Sequence, residues 1–148
     1  MQKRTLLKWI NWWLPFLGAG IRVKKISPDL LTIDVEMKLH FWNQNYIGTQ
    51  FGGSLYAMCD PFFMLILYEN LGPKYIVLDK EGTIRYKKPA TGPVYATFHI
   101  SKEKIDEIRQ RADNEYKIEP LFSVEIFDNT RTVVAEVEKI IYVRRKDA

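Results

Sequence analysis

Asp60 is the only carboxylate in the most apolar stretch of the chain, residues 55–68 (LYAMCDPFFMLILY), and Gly52-Gly53-Ser54 precedes that run. A carboxylate buried without a partner is costly and tends to take up a proton. Asp60 therefore either meets a local backbone need or serves a site. A partly desolvated acid has a raised pKa suited to base work, and glycine amides unobstructed by side chains can stabilise developing negative charge. Together they suit activation of water against a carbonyl. The structural alternative is equally concrete: Asp60 as the N-cap of a helix starting at Pro61, and the glycine pair as a close helix–strand contact. Cys59, flanked by Met58 and Asp60, has no basic neighbour and reads as core filler. His40 and His99 fall on outward strand positions. No metal-ligand spacing occurs, and no cofactor is expected.

The elements that position these groups fit one domain over residues 1–148. The chain is 47% hydrophobic and 14% aromatic, with net charge +4. No basic stripe interleaves with aromatics, so nucleic-acid binding is not expected. Arg144-Arg145-Lys146 and Lys87-Lys88 read either as solvated groups or as cations for the phosphates of an anionic ligand. A single cysteine fits a reducing, cytoplasmic compartment. Residues 1–16 read as an amphipathic helix ending near Pro15, with Leu6, Leu7, Ile10, Trp13 and Leu14 near one face. Lys8 and Asn11 interrupt it too early for a secretory signal. It is expected to pack on the domain, although Trp and Lys also suit a membrane interface. Residues 55–68 are too short to span a bilayer, so no transmembrane segment is expected.

Strands are expected at 21–27 and at 31–41, where Leu31, Ile33, Val35, Met37, Leu39 and Phe41 alternate with polar residues. A polar loop (Asn43-Gln44-Asn45) leads to one apolar helix, stopped by Leu71-Gly72-Pro73. Residues 75–78 and 83–87 flank or form one long strand with Gly82 as a bulge, followed by a strand at 93–100. Ser101 caps a short helix to about Ala112, and 121–128 with 132–144 form a hairpin. The economical packing is α+β: a curved antiparallel sheet around the apolar helix. Its edges would be hidden by pairing two subunits.

The order of elements, with Asn45, Gly48, Gly52-Gly53 and Asp60 at their separations, resembles the hotdog-fold thioesterases, most of all the phenylacetate-pathway type. Gly18-Ala-Gly20-Ile21, residues 45–53, Asp79-Lys80 and the ending 142–146 look like a thioesterase-related branch of that superfamily without an assigned reaction. The resemblance spans about residues 15–146. It implies hydrolysis of acyl-CoA or related acyl thioesters by a homodimer or homotetramer. Asp60 would activate water or attack the thioester, Gly52 would polarise the carbonyl through its N–H, and Asn45 would lie near substrate or water. Gln50, Phe51, Gly53, Asp79, Lys80, Arg144 and Arg145 would contact substrate. Phe51 stands where the family has histidine, and Asp79 where relatives often place a hydroxyl, so a non-catalytic acyl-thioester or lipid-binding protein is the alternative. Eight residues along one helix separate Gly52 from Asp60 by about 12 Å. One subunit's pair would be too far apart, and the family's antiparallel helices imply a site shared between subunits.

Overall fold

The computed structural model describes residues 3–148. The strands are β1 (Ile21–Ile26), β2 (Thr32–Met37), β3 (Tyr75–Tyr86), β4 (Val94–His99), β5 (Leu121–Asp128) and β6 (Val133–Arg145). Period-two burial is clearest in β4 and β5 and absent from β3 beyond Val77. They form one curved antiparallel sheet in the order β1-β2-β4-β5-β6-β3, which is the hotdog arrangement. β2 pairs with β4 from Thr32 opposite His99 to Met37 opposite Val94. The alternation expected to reach Phe41 stops at Met37: Leu39 is half-buried and Phe41 is exposed in a turn. His40 is accordingly not on a strand but stacks on Trp42, at 4.2 Å between ring centres.

Two expected helices are each broken in two. The first becomes α1 (Lys3–Trp12) and α2 (Leu14–Ala19), so Pro15 opens the second helix instead of ending the first. Proline has no N–H to donate and is tolerated in a first helical turn. Gly20 closes α2 at φ +79°, and a Cβ there would collide with the Asn43 amide. That buried amide donates to Ala19 O (2.9 Å) and Lys38 O (2.8 Å), tying α2 to the end of β2. Asn11 fastens α1 to the outer edge of β1, accepting from Val23 N (2.8 Å) and donating to Val23 O (3.1 Å).

The apolar run forms α3 (Gly52–Ala57) and α4 (Phe62–Leu71), separated by turns through Met58–Pro61. Phe62, Phe63, Ile66, Leu67 and Leu71 of α4 are buried against the concave face of the sheet. Phe62 meets Phe98 at 4.9 Å and Phe16 at 5.9 Å, while Phe63 stacks on Phe122 at 5.1 Å. Met64 and Leu65 are half-buried against the core, and Tyr68 is exposed. α5 (Lys102–Asn114) starts as expected: Ser101 Oγ accepts from Lys104 N at 3.1 Å. It buries Ile105, Ile108 and Ala112, and Arg109 donates to Asn70 O near the end of α4 (2.7 Å).

β3 is one continuous strand, and its bulge lies at Lys80, between Asp79 and Glu81, instead of at Gly82. Gly82 serves close approach, because the Tyr56 hydroxyl of α3 lies against it and leaves no room for a Cβ. Gly82→Ala should force the Tyr56 ring aside and cost about 1–2 kcal/mol, since the clash is with a movable side-chain tip. Urea denaturation would measure it.

Candidate active site

Asp60 is neither buried nor alone. Its side chain is 53% exposed and pairs at 3.6 Å with Lys139, whose own side chain is 2% exposed. The same ammonium lies 3.2 Å from Asp79 and 5.3 Å from the centre of the Tyr56 ring. Lys139 sits on β6 at the inward parity shared by Ala135, Val137, Ile141 and Val143, directly opposite Gly82 on β3. The bulge at Lys80 interrupts β3 immediately after Asp79. Asp60 comes to this point because the chain turns between α3 and α4. It does not cap α4: the N-cap is Pro61, and no side-chain capping bond is made. That removes the capping role and leaves Lys139 as the partner that accounts for a charge here. The close helix–strand contact expected of the glycine pair is present at Gly52, where a Cβ would meet the Tyr86 hydroxyl of β3 at 2.9 Å.

The electrostatics follow from this geometry. Burial raises the Asp79 pKa, the Lys139 ammonium opposes that, and the Asp60 charge adds to it, with a net rise above the ordinary carboxylate value. Burial would lower the pKa of Lys139, but Asp79 and Asp60 outweigh it and hold it above 10.5. Burial pushes the Cys59 thiol far up, so it is no nucleophile.

The other sequence-derived residues separate into two groups. Gly52 and Gly53 open α3, and among the described residues nothing accepts from their N–H groups. Tyr86 at the end of β3 donates to Gly52 O at 3.0 Å, and Phe51 is exposed beside them. Asn45 is engaged within its own loop: Oδ1 accepts from Ile47 N and Thr49 N, and Nδ2 donates to Thr49 Oγ1 and Gln50 O. Gln50 is buried and donates to Met37 O and Gly92 O, while its Oε1 meets no described donor. Lys80 pairs with Glu119 at 2.7 Å. Arg144 and Arg145 lie five and six residues along β6 from Lys139, about 17–20 Å away. There Arg145 pairs with Asp147 and Asp113, and Arg144 covers Tyr116. Among the described residues no cluster of His, Cys, Asp or Glu could hold a metal ion.

A family model described as a domain of unknown function, DUF4442, matches residues 3–143. The chain is a member of the DUF4442 family. Among solved structures, this DUF4442 domain is similar to a Pseudomonas aeruginosa protein of unknown function, PA5026, designated "probable thioesterase" (TM-score 0.84, 21% identity, 98% of this chain and 97% of that one). It is also similar to thioesterase HI1161 from Haemophilus influenzae (TM-score 0.70, 12% identity, 98% and 92%). A third is a variant of the thioesterase enzyme SAV0944 from Staphylococcus aureus (TM-score 0.63, 14% identity, 88% and 98%). At these identities the likeness establishes the hotdog fold. No curated protein matches the DUF4442 domain in sequence.

Lys139 is the group that sequence reasoning missed, and its removal should be informative. A group whose pKa is higher folded than unfolded favours folding while protonated. The DUF4442 domain should therefore lose stability as pH rises through the window just above the ordinary Asp value, and again above the ordinary Lys value. Lys139→Met should diminish the alkaline step, to which Tyr75 also contributes through burial and its bond to Asp113. It should also raise Asp79 further and cost about 1–3 kcal/mol at neutral pH, less than for a fully enclosed pair. Melting temperatures across pH, with NMR titration of the Asp79 carboxyl, would measure both effects.

Proposed function

We propose that this DUF4442 domain hydrolyses acyl-CoA or related acyl thioesters at a site shared by two subunits. The observation that carries the reading is the place of Asp60: at the break between two helices, half-exposed, free of any capping bond and held by charge from Lys139. A thioester is already activated, so its hydrolysis needs an oriented carbonyl, a water and a base. Asp60 is the base, with Asp79 and Lys139 setting its field. The unengaged N–H of Gly52 polarises the carbonyl, and Gly53 and Phe51 border the substrate. Asn45 and Gln50 hold the preceding loop in shape. Lys80, on the bulge beside Asp79, is better placed than Arg144 or Arg145 to meet the nucleotide phosphates.

The thioesterases among the structural neighbours support the reaction class. Three features support a homodimer: the unpaired outer edge of β3, the open side of Asp60, and the exposed Tyr68 of α4. A reducing, cytoplasmic setting suits the free Cys59. Phe51 favours a second reading, since an aromatic ring stands where the resembling family has histidine; the protein would then bind acyl thioesters without turning them over. Incubating the purified protein with acyl-CoAs of graded chain length and measuring free thiol separates the two. Catalysed release supports hydrolysis, tight binding without release supports the carrier, and neither would remove both.

A further inference from the structure

All four tryptophans of the chain lie at the surface: Trp9 is 70%, Trp12 74%, Trp13 52% and Trp42 56% exposed. A large apolar ring in water is unfavourable, and four of four is not scatter. Trp9, Trp12, Trp13 and Leu14 line an apolar groove of about 390 Å³ that Pro61 and Leu65 also line. At Trp12 it adjoins a more polar cleft of about 610 Å³, where Arg22 and Lys38 lie with Trp42. The segment is not loosely attached: Leu6 and Phe16 are in the core, and Asn11 and Asn43 bond it to β1 and to the end of β2. The rings are therefore presented on a fixed platform.

Charge selects the occupant. Arg22 and Lys38 line the cleft with one acidic residue, Glu36, which pairs with Lys24 at 3.6 Å, so the face carries net positive charge. A second copy docking symmetrically on this face would set the same cations against one another. A bilayer surface with anionic headgroups instead attracts them, while its interfacial zone accepts indole rings with their N–H groups hydrated. We propose that α1 and α2 dock this protein on an anionic phospholipid surface, with Trp9, Trp12 and Trp13 entering the interfacial zone and Arg22 and Lys38 meeting headgroup phosphates. The docking does not depend on which reaction the Asp60 site performs.

The test uses the full chain with phosphatidylcholine vesicles, alone or with about one quarter phosphatidylglycerol. Sedimentation and tryptophan emission are read at low and high salt. The expected result is about tenfold or stronger partition onto the anionic vesicles, weakened by salt and accompanied by a blue shift. Trp9→Ala with Trp12→Ala should lower partition by about tenfold or more with an unchanged melting temperature. Arg22→Glu with Lys38→Glu should remove the preference for anionic vesicles while the rings stay in place. Equal binding to both vesicles, or binding to neither, overturns the proposal. So does a concentration-dependent dimer that the Trp9/Trp12 variant dissociates, because a second copy would then be the occupant.

Discussion

Asp60→Asn should lower thiol release from an acyl-CoA by about 10²–10⁴-fold, the range that a positioned base supplies. The carboxamide keeps the shape but neither takes the proton from water nor carries charge toward Lys139. Because Asp60 is half-exposed and makes no capping bond, the stability change should stay within about 1 kcal/mol. That contrast between activity and stability is the informative result. Asp79→Asn should have the smaller catalytic effect: Asp79 lies closer to the buried ammonium and acts on the reaction through it. Steady-state kinetics of both variants beside their melting curves would measure the difference. Equal rates for Asp60→Asn and wild type would refute the role given to Asp60.

Phe62→Ala should be the most destabilising single change considered, at about 3–5 kcal/mol, or about 10 °C or more in melting temperature. The ring is fully buried and joins three layers, touching Phe16 of α2 and Phe98 of β4 from the first turn of α4. No neighbour can fill the space without moving α2 or the sheet. Phe62 is also two residues from Asp60, so a relaxed first turn would shift the carboxylate relative to Lys139. Denaturant unfolding gives the energy. If the loss is below about 1 kcal/mol, the packing described for this contact is wrong.

Much of the fold was legible because strand alternation and a capping serine are local signals. Residues 31–37 and the hairpin of β5 and β6 needed no tertiary information, and Ser101 marked the start of α5 correctly. Helix breaks were less legible. Residues 55–68 are apolar on every side, so periodicity could not distinguish one helix from two; Asp60-Pro61 was the only sign of the turn. Pro15 was ambiguous in the same way, since proline both ends helices and opens them. The signal for Lys139 is present in the sequence: in the middle of β6 it interrupts an apolar face formed by Ala135, Val137, Ile141 and Val143. The pairing of Asp60 with Asp79 through that lysine joins residues from α3–α4, β3 and β6, and no local pattern carries such a contact.

The bonds from Asn11 to Val23 have a further consequence. They occupy the outward backbone groups at the middle of β1, and the register of that strand slips between Val23 and Lys25. One margin of the sheet is thereby blunted, while the β3 margin remains a template. Any strand added at β3 finds no matching margin from which growth could continue. Pairing of two copies through β3 would therefore close on itself, and continued growth from the β1 margin would first have to displace Asn11.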